Sequence, residues 1–293
     1  MSRPEHTAPA ELFYNESEAR KYARSTRMQQ IQSVISERAI ELLNLPATAG
    51  PTLLLDIGCG CGMSGEVVEK NGHNWIGMDI SKDMLNVAQE TIVENEASGD
   101  VVLADMGHGL GFRGGTFDGA ISISAVQWLC YASKKSYIPR LRLKRFFQQL
   151  YGCLKRGSRA VIQLYPETPQ QMELITQSAM AVGFTGGLVV DYPNSAKAKK
   201  YYLCLFAGQP SSGPQQVPKA LGEENKFSVG SGQIDYEETR RSFGKNKKRH
   251  RRGGQERPSL KEWVHAKKER QRRQGKNVRP DSKYTGRKRK GHF

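Results

Sequence analysis

The chain has 293 residues, 37% hydrophobic and 25% charged, with a formal net charge of +16. It is long enough for one or two domains with a sizeable core, and it has no run of about 18 to 20 apolar residues suited to a membrane span. Its five cysteines are scattered and its opening residues lack the apolar stretch of a secretory signal, which excludes a disulfide scaffold, a secreted mini-domain and a collagen-like fibre, and leads us to expect an intracellular protein with reduced thiols.

From Glu16 to Leu45, apolar residues (Tyr22, Met28, Ile31, Ile35, Ala39, Leu42) recur at three- and four-residue spacing, which predicts one helix stopped by Pro46. Thr52 to Ile57 is a short apolar run before a glycine-rich turn and reads as a buried strand. A short helix over Ser64–Asn71 and a second strand over His73–Asp79 follow. Next comes a helix over Ser81–Glu94, with Ser81 as its N-cap. Asp100–Asp105 and Phe117–Ser124 read as strands, Leu141–Leu154 as a helix entered after Pro139, and Ser158–Tyr165 as a fifth strand. A helix over Pro169–Val182 precedes two last strands, Gly187–Tyr192 and Lys200–Ala207. No helix separates these two, so they are expected to pair antiparallel. Strands alternating with helices predict an α/β fold, a mostly parallel sheet covered on both faces. Its ligand crevice lies at the carboxyl ends of the first strands.

Charge divides the chain. Residues 1–208 carry 21 Lys and Arg against 20 Asp and Glu, whereas residues 209–293 carry 24 against 9. Gln209 to Glu224 is rich in Pro, Gly, Ser and Gln and reads as a linker; the basic runs KNKKRHRRGG, KKERQRRQGK and GRKRKG follow. The expected organisation is a helical cover over 1–51, an α/β domain over 52–208, a linker over 209–244 and a basic, largely disordered tail over 245–293. Such a tail suits a nucleic-acid-binding arm or a nuclear-import signal. Ser259 to Gln274 is a candidate helix within it, with Trp263 as anchor and capping-box spacing from Ser259 to Glu262.

The chemistry-bearing motif is DIGCGCG, Asp56 to Gly62. Gly58, Gly60 and Gly62 let the backbone turn sharply and approach a ligand closely. The spacing differs from the dinucleotide GxGxxG fingerprint, and no GxxxxGK phosphate loop is present. A carboxylate at Asp56 suits a ligand with a positive amine. Asp79 ends the second predicted strand, 23 residues later, where an acid can hold ribose hydroxyls. Asp105 ends the third and is followed by Met106; both are placed to flank an adenine. Two cysteines in the loop, without His or Cys partners at ligand spacing, do not make a metal site.

Together these residues resemble the class I S-adenosylmethionine-dependent methyltransferases over about Thr52 to Ala207. The resemblance implies a Rossmann-like, seven-stranded sheet with a terminal antiparallel hairpin and S-adenosyl-L-methionine as cofactor. It assigns cofactor contacts to Asp56, Gly58, Gly60, Gly62, Asp79, Ile80, Asp105 and Met106. Cys61 stands where Thr or Ser is common in that family. Longer segments are more specific. LFYNESEARKYARSTRM (Leu12 to Met28), ISISAVQWLC (Ile121 to Cys130), GSRAVIQLYPE (Gly157 to Glu167), VVDYPNSAKAKKYYLCLF (Val189 to Phe206) and RRQGKNVRPDSKYTGRKRK (Arg272 to Lys290) resemble the eukaryotic 18S ribosomal RNA guanine-N7 methyltransferases of small-subunit biogenesis. The match runs over nearly the whole chain.

That resemblance implies an 18S rRNA substrate in a pre-40S particle and a nuclear location, nucleolus or nucleoplasm. It also implies a heterodimer with a small zinc-binding activator protein. The third strand normally lies at the sheet edge in this fold, so Val101 to Ala104 is the expected docking strand. Guanine N7 carries a free lone pair and needs no general base. Accordingly Ser124 to Trp128 lacks the Asp/Asn-Pro-Pro-aromatic turn used on exocyclic amines. Cys130 reads as a core residue. Trp128, Tyr165 and Tyr192, at or after predicted strand ends, are the candidates for holding the base. Tyr14, Tyr22 and Arg24 belong to a helix that can fold over the cofactor, with Arg24 as a candidate partner for the methionine carboxylate. A biogenesis scaffold, and a methyltransferase acting on another RNA or a protein, stay open as alternatives.

Overall fold

The computed structural model describes residues 3–46, 50–195, 197–209 and 217–222, and within the tail 264–265, 267–269, 272, 278 and 280–281. Three basic runs, the start of the linker and Trp263 fall wholly or largely outside these residues.

Seven strands form one sheet in the order β3-β2-β1-β4-β5-β7-β6. They are β1 (Leu53–Ile57), β2 (Asn74–Asp79), β3 (Asp100–Leu103), β4 (Phe117–Ile123), β5 (Leu154–Leu164), β6 (Thr185–Asp191) and β7 (Lys200–Phe206). β1 pairs parallel with β2 and β4, β2 with β3 and β4 with β5. β7 is antiparallel to both β5 and β6. The expected terminal hairpin is therefore present, with β7 inserted between β5 and β6. β5 starts four residues before the predicted strand, directly after a helix, with a register shift opposite Phe117 and Gly119.

Strand side chains alternate between two cores, as the pleat requires. Leu54, Ile121, Val161 and Cys204 face one side, with the helices α3 (Thr26–Leu43), α4 (Met63–Lys70) and α5 (Lys82–Glu94). Leu55, Ala120, Ile162 and Leu203 face the other, with α6 (Pro139–Cys153) and α7 (Pro169–Met180). The predicted first helix is two: α2 (Glu16–Arg24) and α3. Ser25 has extended backbone and its hydroxyl accepts from the Met28 N–H, so it caps α3 and breaks the run. α3 ends at Asn44 in the left-handed conformation, ahead of Pro46. Ser81 caps α5 as expected, accepting from Met84 N–H. A short helix α1 (Ala10–Phe13) and 3-10 turns at Met106–His108 and Val126–Cys130 complete the site region.

The linker expectation meets a docked segment. Lys219 carbonyl accepts from Arg38, Leu221 N–H donates to Asp191, and Leu221 carbonyl accepts from Tyr192 N–H. Residues 217–222 thus return to the domain beside β6. The chain divides into units Met1–Ile234 and Asp235–Phe293. In the second, residues 264–265, 267–269 and 272 are helical, and Lys268 and Arg272 pair with Asp281 at 2.9 and 2.8 Å. These hydrogen bonds hold the Asp281 carboxyl down at about 2.

Candidate active site

A cavity of about 1050 Å³, open mouth included, lies at the carboxyl ends of β1, β2 and β4. This is the switch point of the sheet, because the chain turns outward to β2 and β3 on one side and to β4 and β5 on the other.

The glycine loop forms one wall. Gly58 and Gly60 line the cavity with φ of 74° and 54°, a region that favours glycine. A Cβ on Gly58 would lie 2.2 Å from the Ala125 Cβ, so no side chain fits there. Gly62 takes no part in the lining; it is the left-handed N-cap residue of α4. Asp56 also stands behind the loop. It is fully buried and its Oδ2 accepts from the Ser64 hydroxyl at 2.5 Å, while Oδ1 has no partner. Burial pushes its carboxyl up to about 7, against the pull of Ser64.

Asp79 lies in the cavity wall at the end of β2. Its two oxygens accept the backbone N–H groups of Gly60 at 3.0 Å and Ser81 at 2.8 Å. Burial raises its carboxyl, and those N–H groups oppose the rise. Each oxygen keeps a further lone pair for a ligand hydroxyl. Ile80 and Met106 line the cavity too.

Asp105 lines the cavity as well. Its carboxylate accepts from Arg142 at 2.6 and 2.7 Å, from the Tyr137 hydroxyl at 3.1 Å and from Gly107 N–H at 2.8 Å. Little acceptor capacity is left for an adenine amine. Arg142 stacks 3.8 Å from the Tyr137 ring centroid. Neither Arg142 nor Tyr137 was singled out from the sequence. A signal existed: Arg142 occupies a stripe position of α6 with Phe146 and Leu150, all buried. A lone Arg in an apolar stripe needs a buried acid.

Of the three candidate base-holding aromatics, Trp128 lines the cavity and two do not. Trp128 sits in the turn after β4, 6.1 Å from the Tyr14 ring and 6.4 Å from the Phe13 ring. Tyr165 packs against the α3-side core, with its carbonyl accepting from Arg3. Tyr192 follows β6, at the opposite edge of the sheet from β3. Four strand spacings separate β6 from β1, roughly 19 Å, which explains why a strand-end position alone did not bring this ring to the site. The turn itself is held open by Ser124, whose φ is 58°. Its hydroxyl donates to Gln163 at 2.6 Å and its carbonyl accepts from Gln127 at 2.7 Å.

The N-terminal cover is present. Glu11, Tyr14 and Tyr22 line the cavity, and the Tyr14 carbonyl accepts from Ser81 at 2.7 Å. Arg24 does not line it; it ends α2 with its side chain exposed. Glu11 pairs with Lys134 at 2.8 Å. Burial pushes the thiols of Cys61 and Cys130 up to about 11 and 12, and the phenol of Tyr22 up to about 12. Cys130 packs against the α6-side core and is not in the cavity. Among the described residues no cluster of His, Cys, Asp and Glu is arranged to hold a metal.

Comparison with known proteins adds the following. A family model described as "Methyltransferase domain" matches residues 55–162. One described as "Methyltransferase involved in Williams-Beuren syndrome" matches residues 205–291. The chain is 52% identical over 299 residues to the 18S rRNA (guanine-N(7))-methyltransferase of Mus musculus, covering 99% of this chain and 98% of the relative. It is 52% identical over 292 residues to the Arabidopsis thaliana enzyme RID2, covering 100% and 99%. Identity to the 18S rRNA (guanine(1575)-N(7))-methyltransferase of Saccharomyces cerevisiae is 46% over 297 residues, covering all of both chains. Among solved structures, a Methanococcus maripaludis protein assigned as an S-adenosyl-L-methionine-dependent methyltransferase superposes with a TM-score of 0.52 at 14% identity, over 67% of this chain and 94% of that one. At that identity the likeness speaks for the fold, the class I methyltransferase fold. The agreement with the curated relatives runs from end to end at about half identity, tail included, and on that ground the chain belongs to the family of 18S rRNA (guanine-N7)-methyltransferases.

Proposed function

We propose that this protein transfers the methyl group of S-adenosyl-L-methionine to N7 of a guanine in 18S ribosomal RNA. The observation that carries the reading is a single cavity with a nucleoside-type wall and an aromatic wall, in which every acid is already engaged. Asp79 accepts from Gly60 and Ser81, Asp105 from Arg142, and Glu11 from Lys134. The cysteine and tyrosine groups with resolved shifts, Cys61 and Tyr22 among them, are held protonated by burial. Such a site suits an acceptor that needs no base, as guanine N7 does. The wall fits the cofactor. Gly58 and Gly60 would leave room for its amino-acid part, Asp79 would accept from its ribose hydroxyls, and Ile80, Asp105 and Met106 would border its adenine. When bound, S-adenosylmethionine supplies a sulfonium-activated methyl group. The chain's own part is to place the base and exclude water around it. Trp128 stacks the base and its π face favours the charge that develops there.

This assigns Asp56 a supporting role. Its buried carboxyl ionises near neutrality and accepts from Ser64 behind the glycine loop. Because the folded acid has a raised pKa, its ionisation opposes folding, so its cost to stability grows as pH rises from about 4 to about 7. Asp56→Asn removes that titration, so its stability is expected to change less between about pH 5 and pH 8 than that of the wild type. Urea unfolding of both proteins across that range checks this; parallel profiles contradict it.

Replacing Trp128 by Ala tests the base-holding role. Stacking contributes about 1–3 kcal/mol per base, so methylation of 18S RNA should fall by about 5- to 150-fold while cofactor binding holds. Borohydride–aniline cleavage at 7-methylguanosine reads the outcome. Cleavage that persists in cells lacking the protein would remove guanine N7 as the acceptor.

A small zinc-binding activator protein is the proposed partner at β3. That strand pairs with β2 alone, and Val102 and Leu103 are 38% and 57% exposed. An apolar, half-paired edge invites strand addition. Leu103→Asp should abolish co-purification with the activator; retained co-purification moves the interface elsewhere. No helix among the described residues is long and apolar enough to cross a membrane. The basic tail supports a nuclear location.

A further inference from the structure

The near-neutral balance of residues 1–208 hides a one-sided segment. Between Asp118 and Glu167 there is no acid, and nine cations: Lys134, Lys135, Arg140, Arg142, Lys144, Arg145, Lys155, Arg156 and Arg159. Some have structural work. Arg142 holds Asp105, Lys155 pairs with Asp118 at 2.6 Å and Lys134 pairs with Glu11. Lys135, Arg140, Lys144 and Arg145 are exposed and form no ion pair among the described residues.

Helix stability does not account for them. α6 has no acid in its first turn and no cation in its last. Arg140 sits in its first turn, at the positive end of the macrodipole, where a cation costs about 0.3–1 kcal/mol. Arg140 and Lys144 are like charges at i and i+4, a further destabilising pair. A merely solvated face would not need charges at the wrong end. The opposite face of the same helix carries Arg142 into the cavity, and Ser133 and Tyr137, just before it, line the cavity too. Lys135 and Arg140 are thus chain neighbours of the cavity-lining Ser133, Tyr137 and Arg142.

We infer that the exposed face of α6, with Lys135, is an RNA-docking surface that holds phosphates flanking the target base. The inference rests on the ribosomal RNA reading and deepens it. It locates an RNA contact on the catalytic domain itself, separate from the basic tail. Phosphate contacts of this kind fix register and release counterions.

The test uses the full chain purified with its activator and a single-stranded 18S RNA fragment that the wild type methylates. The variant is Arg140→Gln with Lys144→Gln and Arg145→Gln. A charge-matched control changes Lys21, Lys70 and Lys82 to Gln. Dissociation constants are measured from 50 to 200 mM KCl. Loss of three phosphate contacts should reduce the salt slope by about 2, at about 0.7 per contact on a single strand. Affinity at 100 mM KCl should drop at least tenfold, while cofactor binding is unchanged and the control keeps its slope. An unchanged slope in the α6 variant overturns the inference. So does loss of the activator with RNA binding intact, which would assign this face to a protein. A wild type that binds cofactor but neither binds nor methylates the RNA overturns the ribosomal RNA reading itself, a result distinguishable from either.

Discussion

Asp79→Ala is expected to abolish methylation of 18S ribosomal RNA and to weaken S-adenosylmethionine binding by two orders of magnitude or more. Two effects add. The ribose hydroxyls lose a charged acceptor, worth about 1.5–3 kcal/mol per hydrogen bond. The glycine loop also loses its tether, because the same carboxylate holds the Gly60 and Ser81 N–H groups at 3.0 and 2.8 Å. Asp79→Asn separates the two, since an amide oxygen still accepts one N–H while the charge is gone. Asn should recover part of the loop's order and little of the affinity. Titration calorimetry gives the binding, and mapping of 7-methylguanosine in 18S RNA gives the reaction. Cofactor affinity within threefold of wild type in Asp79→Ala would show that the ligand is held elsewhere. Cells that mature their 18S RNA normally with Asp79→Ala would assign the essential role to a scaffold and not to turnover.

Arg38→Ala carries the largest expected effect on stability. Arg38 and Asp191 form a buried pair, with Nε to Oδ2 at 2.9 Å and a second contact at 3.3 Å. Their side chains are 9% and 3% exposed. Removing one partner leaves a charge buried without its counterion, a loss of about 3–5 kcal/mol. Arg38 also donates to the Lys219 carbonyl, and Asp191 accepts from Leu221 N–H. The returning segment 217–222 should therefore loosen at the same time. Urea unfolding measures the first effect, and proteolysis within the segment the second. The double variant Arg38→Met with Asp191→Leu should recover most of the loss, because an apolar pair needs no counterion. A loss below about 1 kcal/mol in Arg38→Ala would mean that water reaches the pair.

Much of the fold was legible in the residues. All seven strands and the helices between them follow from apolar periodicity and caps, and Ser81 was identifiable as a cap by its place before Lys82–Glu94. The single long helix was the misreading. Its apolar spacing continues across Ser25, and the break is a capping event that periodicity does not register. In the site, Gly58, Gly60, Asp79, Ile80 and Met106 were accessible to sequence reasoning because each lies at a strand end on the switch-point side of the sheet. Asp56 and Gly62 were singled out for the same loop, yet they support it from behind and beneath.

The remainder depended on residues distant in the chain. Arg142 meets Asp105 across 37 positions, and Arg38 meets Asp191 across 153. Trp128, Tyr165 and Tyr192 all follow strands, and only the strand order separates the ring in the cavity from the two outside it. By itself the sequence determined the element types, the glycine loop, the charge split at residue 208 and the family resemblance, because spacing, capping and backbone freedom are local properties. The tertiary structure alone decided which acids are already engaged, which aromatic lines the cavity and which face of α6 stays cationic. Those outcomes follow from the sheet order and from two-sided burial, which bring together side chains that no local pattern pairs.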